Sequence, residues 1–256
     1  VSTAGFATAA GAGTTLVTAA AGDTINVPSF DLSAKAYLEN MSVKGAVIDW
    51  VRVRSPRMHD ANQGIRMWAG AVQSVPLLPW GYDEVLFPSD TPIVEIDQTG
   101  AGSGVILLQY GFSDLPGYNP RLGSPADIAA RTTHISGVEV DVTGGAIGTW
   151  GAGASINSVF DNFEAGADYA LLGMVNSVAC AGVSIIGQDT SNARMAIPGS
   201  TDPRVTRDWF VKLSEETGRN YIPIIAANNK GSTIVQAIDS AAATATKVTL
   251  IFAELG

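Results

Sequence analysis

The residues able to do acid–base, nucleophilic or metal chemistry are few in this chain, and they are scattered. Its two histidines, His59 and His134, stand far apart, and neither has the local setting of a Ser-His-Asp triad. No G-x-S-x-G elbow occurs. A metal site would need clustered histidines plus a carboxylate, which two isolated histidines cannot supply, so both are expected in loops. Asp83-Glu84 and Glu215-Glu216 are local carboxylate pairs. A glycosidase needs two carboxyls converging across a cleft, which adjacency in sequence does not provide. The aspartate-bearing turns DQTG and GQDT could hold calcium but lack the alternation of an EF-hand loop, and Asx-turn roles are expected instead. The run TGAGSG at 99–104 is glycine-rich, but no lysine follows it and no helix starts there. It is neither a P-loop nor a dinucleotide fingerprint, and a flexible hairpin loop is expected. No catalytic, cofactor-binding or metal-ligating residue is assigned.

The other singular residues read as structural. Arg52, Arg54 and Arg57 are the one basic cluster. Their spacing puts Arg52 and Arg54 on one face of a strand, suited to salt bridges at a subunit contact or to a solvated face. Cys180, in SVACAGVSI, is expected as a small buried apolar residue. A single cysteine forms no intrachain disulfide, which sets this chain apart from disulfide-stapled secreted domains. Trp50, Trp68, Trp80, Trp150 and Trp209 are spread along the chain and form no stacking ladder for sugars or bases. Core and interface packing is expected for them. Asn40-Met41-Ser42 matches a glycosylation sequon by chance. The first 22 residues are uncharged but have neither the basic start nor the continuous apolar core of a secretory signal.

Composition narrows the class. Charged residues make up 15% of the 256, with 28 glycines, against an average charged share of about 25%. There is too little Glu/Lys surface for many solvated helices, and Gly, Thr and Val suit strands and turns. The net charge of −9 and the absence of any Lys/Arg run oppose direct binding of nucleic acid. The uncharged stretch 169–188 contains Asn176, Ser177, Ser184 and several glycines, so two buried strands are expected there and not a membrane span.

The elements that would position these residues repeat. The stretch from Ala152 to Met174 echoes that from Ala21 to Met41: Ala152-Gly153 with Ala21-Gly22, Ile156-Asn157 with Ile25-Asn26, Tyr169 with Tyr37, and Met174 with Met41. The offsets drift only from 131 (156 − 25) to 133 (174 − 41). The echo continues in order. Asp60 and Arg66-Met67 match Asp189 and Arg194-Met195, Pro92-Ile93-Val94 match Pro223-Ile224-Ile225, and GVILLQYGFSDL resembles KVTLIFAEL. Collinear matches at a near-constant offset indicate two copies of one module.

Each copy reads as a string of short strands. Residues 1–20 are expected as a small-residue arm that orders only against a neighbour and leads into a strand, TTLVTA. TINVPSF at 24–30 follows, and then the long tract 36–55, which Gly45 divides in two. IRMWAGAV, VLF, PIVEID and VILLQYGF complete the first module, with Gly, Pro and Asp between them. Residues 116–131 form a Pro/Gly-rich linker in which ADIAAR makes one helical turn. In the second module, Val205, Trp209 and Leu213 mark a helix capped by Asp202, and YIPIIAANNKGSTIVQAID predicts a hairpin turning near Asn228 to Gly231. The expected fold is all-β: tandem jelly-roll sandwiches, each of two four-stranded sheets, at 1–115 and 132–256, with short helices in loops.

In this architecture of tandem modules of about 120 residues joined by a short linker, the chain resembles the double jelly-roll major capsid proteins of icosahedral bacterial viruses of the adenovirus-like lineage. The resemblance covers the whole chain and carries no sequence signature. It implies a virion location, homotrimers whose six sandwiches make a pseudo-hexagonal tile, long loops such as 70–92 and 198–222 at the top, and contacts with neighbouring trimers, other virion proteins or an internal membrane. The amino-terminal helix common at the base of such proteins is not evident here. A phage decoration or virion surface protein shares the same features. An extracellular adhesin or carbohydrate-binding module would draw on the dispersed tryptophans. A glycoside hydrolase would need a close carboxylate pair in a deep cleft. The expected partner is the chain itself, with no cofactor.

Overall fold

The structure is a computed structural model, and it describes residues 2–10, 13–16, 18–19, 35–54, 65–68, 84–86, 93–113, 117–158 and 163–256. The expected strand at 24–30, Arg57, His59, Asp60, Trp80, Asp83 and most of the loop 70–92 lie outside these residues.

Among the described residues nine strands precede residue 114: β1 (Ser2–Ala10), β2 (Gly13–Leu16), β3 (Thr18–Ala19), β4 (Lys35–Lys44), β5 (Ile48–Arg54), β6 (Ile65–Trp68), β7 (Glu84–Leu86), β8 (Ile93–Gln98) and β9 (Gly102–Ser113). They form a five-stranded sheet ordered β3-β1-β9-β4-β7 and a four-stranded sheet ordered β2-β8-β5-β6. The later elements are β10 (Leu122–Gly123), α1 (Pro125–Arg131), β11 (Thr132–Thr143), β12 (Ala154–Ser155), β13 (Asp168–Asn176), β14 (Gly182–Ile186), β15 (Met195–Pro198), α2 (Pro203–Thr206), α3 (Trp209–Thr217), β16 (Ile222–Ala226), β17 (Ile234–Ile238) and β18 (Ala245–Leu255). They form sheets ordered β10-β16-β13-β18-β11 and β12-β17-β14-β15. All pairings are antiparallel, and among the described residues no strand of the first half pairs with one of the second. The fold is all-β with few short helices, as expected. The larger sheets hold five strands where four were expected, the fifth being a two-residue edge strand.

Strand by strand, the two halves run in the same order. The series β1-β9-β4-β7 matches β11-β18-β13-β16, and β2-β8-β5-β6 matches β12-β17-β14-β15. The same irregularity recurs as well. In the first half Leu38 faces Tyr110 and Asn40 faces Gln109, so Glu39 is an extra residue on β4. In the second half Leu171 faces Phe252 and Gly173 faces Ile251, so Leu172 is extra on β13. A bulge inserts one residue and bends its strand, and here it falls at the same pairing step in both sheets. Counted from the bulges, Met41 and Met174 are equivalent and both buried, as the sequence echo had them. Tyr37 and Tyr169 are not equivalent. Tyr37 faces Gly111 while Tyr169 faces Glu254, one step out of phase, and a one-residue slip turns a side chain to the opposite face. Ile93-Val94 and Ile224-Ile225 also fall on non-equivalent strands, since β8 pairs with β5 whereas β16 pairs with β13, and Pro92 lies outside the described residues.

Period-two burial explains the strands. On β11, Val138, Val140 and Val142 are buried while Gly137, Glu139 and Asp141 are exposed. Val248, Leu250 and Phe252 of β18 join them in a core that includes Met174, Ile185, Ile197 and Trp209. Phe252 meets Phe163 and Tyr169 edge-on, the Phe163 and Phe252 centroids lying 5.4 Å apart at 85°, while Phe163 and Tyr169 are tilted at 58°. Each such aliphatic or aromatic burial contributes about 1.5–3 kcal/mol.

Four further expectations fail for physical reasons. Residues 2–10 do not form a free arm: every residue from Ser2 to Ala10 is in register with β9, completing that strand's second edge. The stretch expected as a linker packs on the second half, where Leu122 pairs with Pro223, Ser124 caps α1 by accepting from Asp127 N at 3.1 Å, and Ile128 enters the core. Residues 221–239 do not form a hairpin. The 3-10 turn Ala227–Ser232 carries the chain from the sheet of β16 to the sheet of β17. Likewise 99–101 links β8 to β9 across sheets. The expected helix is present but breaks into α2, capped by Asp202, and α3, with Trp209 and Leu213 buried.

Candidate functional site

β9 is unlike its counterpart. Its inward row, Ile106, Leu108 and Tyr110, is buried, and so is its outward row, Val105, Leu107 and Gln109, at 1–2% exposure. The outward row meets the second half. Val105 and Leu107 cluster with Ala181 and Ile238, against which Trp150 also packs. Gln109 accepts from Asn40 Nδ2 at 2.9 Å and donates to the Ala196 carbonyl. Gly182 leaves room for Leu107, because a Cβ there would overlap the Leu107 side chain. The outer face of the β1-β9-β4 sheet thus lies on the outer face of the β17-β14-β15 sheet.

Two polar anchors flank this apolar patch. Lys44 Nζ bonds Asp239 Oδ1 at 2.6 Å and the Ala179 carbonyl at 2.8 Å. Asp239, almost fully buried, also accepts from Ser240 N and Thr244 Oγ1. On the other side the bulge of β4 turns Glu39 outward into the second half, where its side chain is fully buried. It accepts from Tyr221 OH and pairs with Arg219, whose guanidinium also lies 3.8 Å from the Tyr37 ring centroid. Burial raises the Tyr221 hydroxyl above its ordinary range, and the Glu39 charge adds to it, so the phenol stays a donor. Gly111 makes the approach possible, since a Cβ would collide with both Tyr221 OH and Glu39 Oε1. Chemically, this arrangement holds surfaces together: an apolar centre, a charged rim, and buried polar groups in partnership.

The residues considered for chemistry do not converge. His134 is exposed on β11, and Glu215-Glu216 is exposed on α3. Among the described residues no three His, Cys, Asp or Glu side chains are grouped as metal ligands. The Asp189 carboxylate accepts from Ala226 N and Asn229 Nδ2, both at 3.0 Å, which makes it a brace for the crossover turn. Cys180 is buried, and burial pushes its thiol up to about 12. Asn40 is buried in the contact, out of reach of modification. Arg52 and Arg54 share a face and both bind Glu95, at 2.5 and 2.8 Å, within one chain. That pairing, Arg54 foremost, holds the Glu95 carboxyl below its usual range. Trp50 and Trp209 are buried, Trp150 is partly so, and Trp68 is 66% exposed.

Sequence reasoning missed Glu39, Lys44, Gln109, Arg219, Tyr221 and Asp239. One signal was available. Val105 to Leu108 is an unbroken apolar run, the mark of a strand covered on both faces, whereas the equivalent stretch KVTL of β18 alternates.

No family model matches this chain, and no curated protein matches it. Among solved structures it is similar to the crystal structure of PBSX exported protein XepA at 11% identity, over 85% of this chain and 74% of that one, with a TM-score of 0.20.

Proposed function

We propose that this chain is a duplicated jelly-roll protein whose work is self-assembly: a structural virion protein, forming homotrimers that tile into an icosahedral shell. The supporting observation is the shared strand order of the two halves together with their shared bulge. Numbering the strands of each half one to eight, without the two-residue β3 and β10, gives sheets 1-8-3-6 and 2-7-4-5, which is the strand arrangement of a jelly roll. The boundary falls between β9 and β10, so the first sandwich lies within 1–115, and residues 117–131 pack with the second. The contact between the halves adds to the reading. One sandwich presents the outside of its larger sheet to the outside of its partner's smaller sheet, so the arrangement is head-to-tail and can be repeated between chains. Many such contacts close a shell together, each of modest affinity.

The test is light scattering on a sizing column followed by negative-stain microscopy of the purified protein. Particles of three 26.5 kDa chains with a hexagonal outline, and tiles or shells from them, are the expected result. A monomer at every concentration overturns the proposal. Trimers that never tile would favour a decoration protein.

A further inference from the structure

Among the described residues no strand pairing and no backbone–backbone hydrogen bond crosses from one half to the other. Side-chain contacts hold the halves together, and β4 gives those contacts their character. Past the bulge at Glu39, Asn40, Ser42 and Lys44 stand opposite Gln109, Leu107 and Val105 of β9, in the row turned to the second half. Glu39, Asn40 and Ser42 are buried, and the Lys44 side chain is only 25% exposed. A strand sealed permanently into a core would carry aliphatic residues in this row. A buried polar row has the composition of a surface that docks and releases. Asn40 Oδ1 is buried there without a hydrogen-bond partner, which weakens the docked state further.

The duplication does not supply a second, open pair of such faces. Counted from the bulges, Gly173 of β13 stands where Asn40 stands on β4. The chain's own α2–α3 segment covers it so closely that a Cβ on Gly173 would overlap the Thr206 carbonyl oxygen and the Arg207 backbone. On the arginine-bearing face of β5 and β8, Trp50 and Glu95 are buried. The two surfaces with a demonstrated fit are therefore the ones that already meet: β4–β9 of the first half, and the outer face of β17-β14-β15 with its flanking Arg219 and Tyr221. The chain between Ser113 and Gly117 is the one covalent link between them.

We infer that copies of this chain exchange halves: the β4–β9 face of one chain docks on the second half of another, where Glu39 meets the other chain's Arg219 and Tyr221 and Lys44 meets its Asp239. This rests on the self-assembly reading and names its interface. The exchanged contact is the one a single chain makes with itself, so it needs no new complementarity. Closed and exchanged forms bury the same surfaces, and the link and the concentration decide between them. Because the two surfaces differ, the union is head-to-tail and closes when the last chain's first half reaches the first chain's second half.

The experiment reverses one anchor. Glu39→Lys and Arg219→Glu are placed in separate full-length chains carrying different tags. Alone, each variant sets like charges against each other in its own contact, which should weaken docking roughly a hundredfold. Co-expressed, each half finds its opposite charge on the other chain. The two tags should then copurify one-to-one, with the circular dichroism spectrum and melting temperature of the wild type. Lys44→Glu with Asp239→Lys repeats the test at the second anchor. Both substitutions of a pair in one chain restore the pairing within it and show that the reversed pair is tolerated. Co-expressed chains that fold but purify apart overturn the exchange, as do chains that stay insoluble while the one-chain double variant folds. A wild type that is then still oligomeric by sedimentation leaves self-assembly standing through other surfaces. A monomeric wild type removes that reading as well.

Discussion

Arg219→Ala should separate the two halves more effectively than the size of the deletion suggests. The Glu39 side chain is fully buried, and its Oε1 accepts from both Arg219 and Tyr221. Arg219 is 30% exposed, so its loss exposes little new apolar surface but leaves a carboxylate without its counter-charge. Stranding a buried charge costs about 3–5 kcal/mol, and the lower end applies because one partner remains. Tyr221→Phe removes one hydrogen bond to a charged group, about 1.5–3 kcal/mol. In a chain of this length about 3 kcal/mol lowers the melting temperature by roughly 6–12 °C if unfolding is two-state. The assay is urea denaturation of wild type, Arg219→Ala, Glu39→Gln and the double variant. The double variant should recover part of the loss, since a neutral amide still accepts from Tyr221 and needs no cation. Arg219→Ala within about 0.5 kcal/mol of wild type, or a double variant no better than the sum of the singles, would refute the claim that this ion pair ties the halves together.

Removing residues 1–10 should abolish soluble folded protein, because it strips a nine-residue strand from β9 and opens an apolar edge; a soluble truncation with an unchanged melting temperature would contradict this. Glu95 has a folded pKa below its unfolded value of 4.5, so its contribution is present above that value and is lost as pH falls through the lowered folded pKa. Glu95→Gln should therefore be less stable at neutral pH and lose less on acidification, checked by urea melts between pH 7 and 3. Cys180, buried with its thiol raised to about 12, should resist a thiol reagent at pH 8 in the native protein and react fully in denaturant.

Much of the strand pattern is legible along the chain. Gly45 splits the 36–55 tract, Asp202 starts the helical stretch, and Val138-Val140-Val142 declares an alternating strand, because each depends on backbone conformation or on a period within a few residues. The Met41–Met174 echo survives in register because both residues fill the same site behind the same bulge. The Tyr37–Tyr169 echo does not, since a one-residue slip is invisible in an alignment that tolerates a drifting offset.

The contact between the halves was hidden for a different reason. Glu39 and Tyr221 are separated by 182 positions and Lys44 and Asp239 by 195, and no local pattern announces which charged residue meets which. Residues 2–10 show the same limit: eight small residues and one phenylalanine, Phe6, carry no hydrophobic pattern of their own, and only the waiting edge of β9 makes them a strand. The amino-acid order alone determines an all-β chain and many of its strands, because those follow from side-chain size, polarity and spacing among neighbours. Which sheet a strand joins and which of its faces another element covers are decided only by folding, where residues distant in sequence compete for the same hydrogen bonds and the same burial.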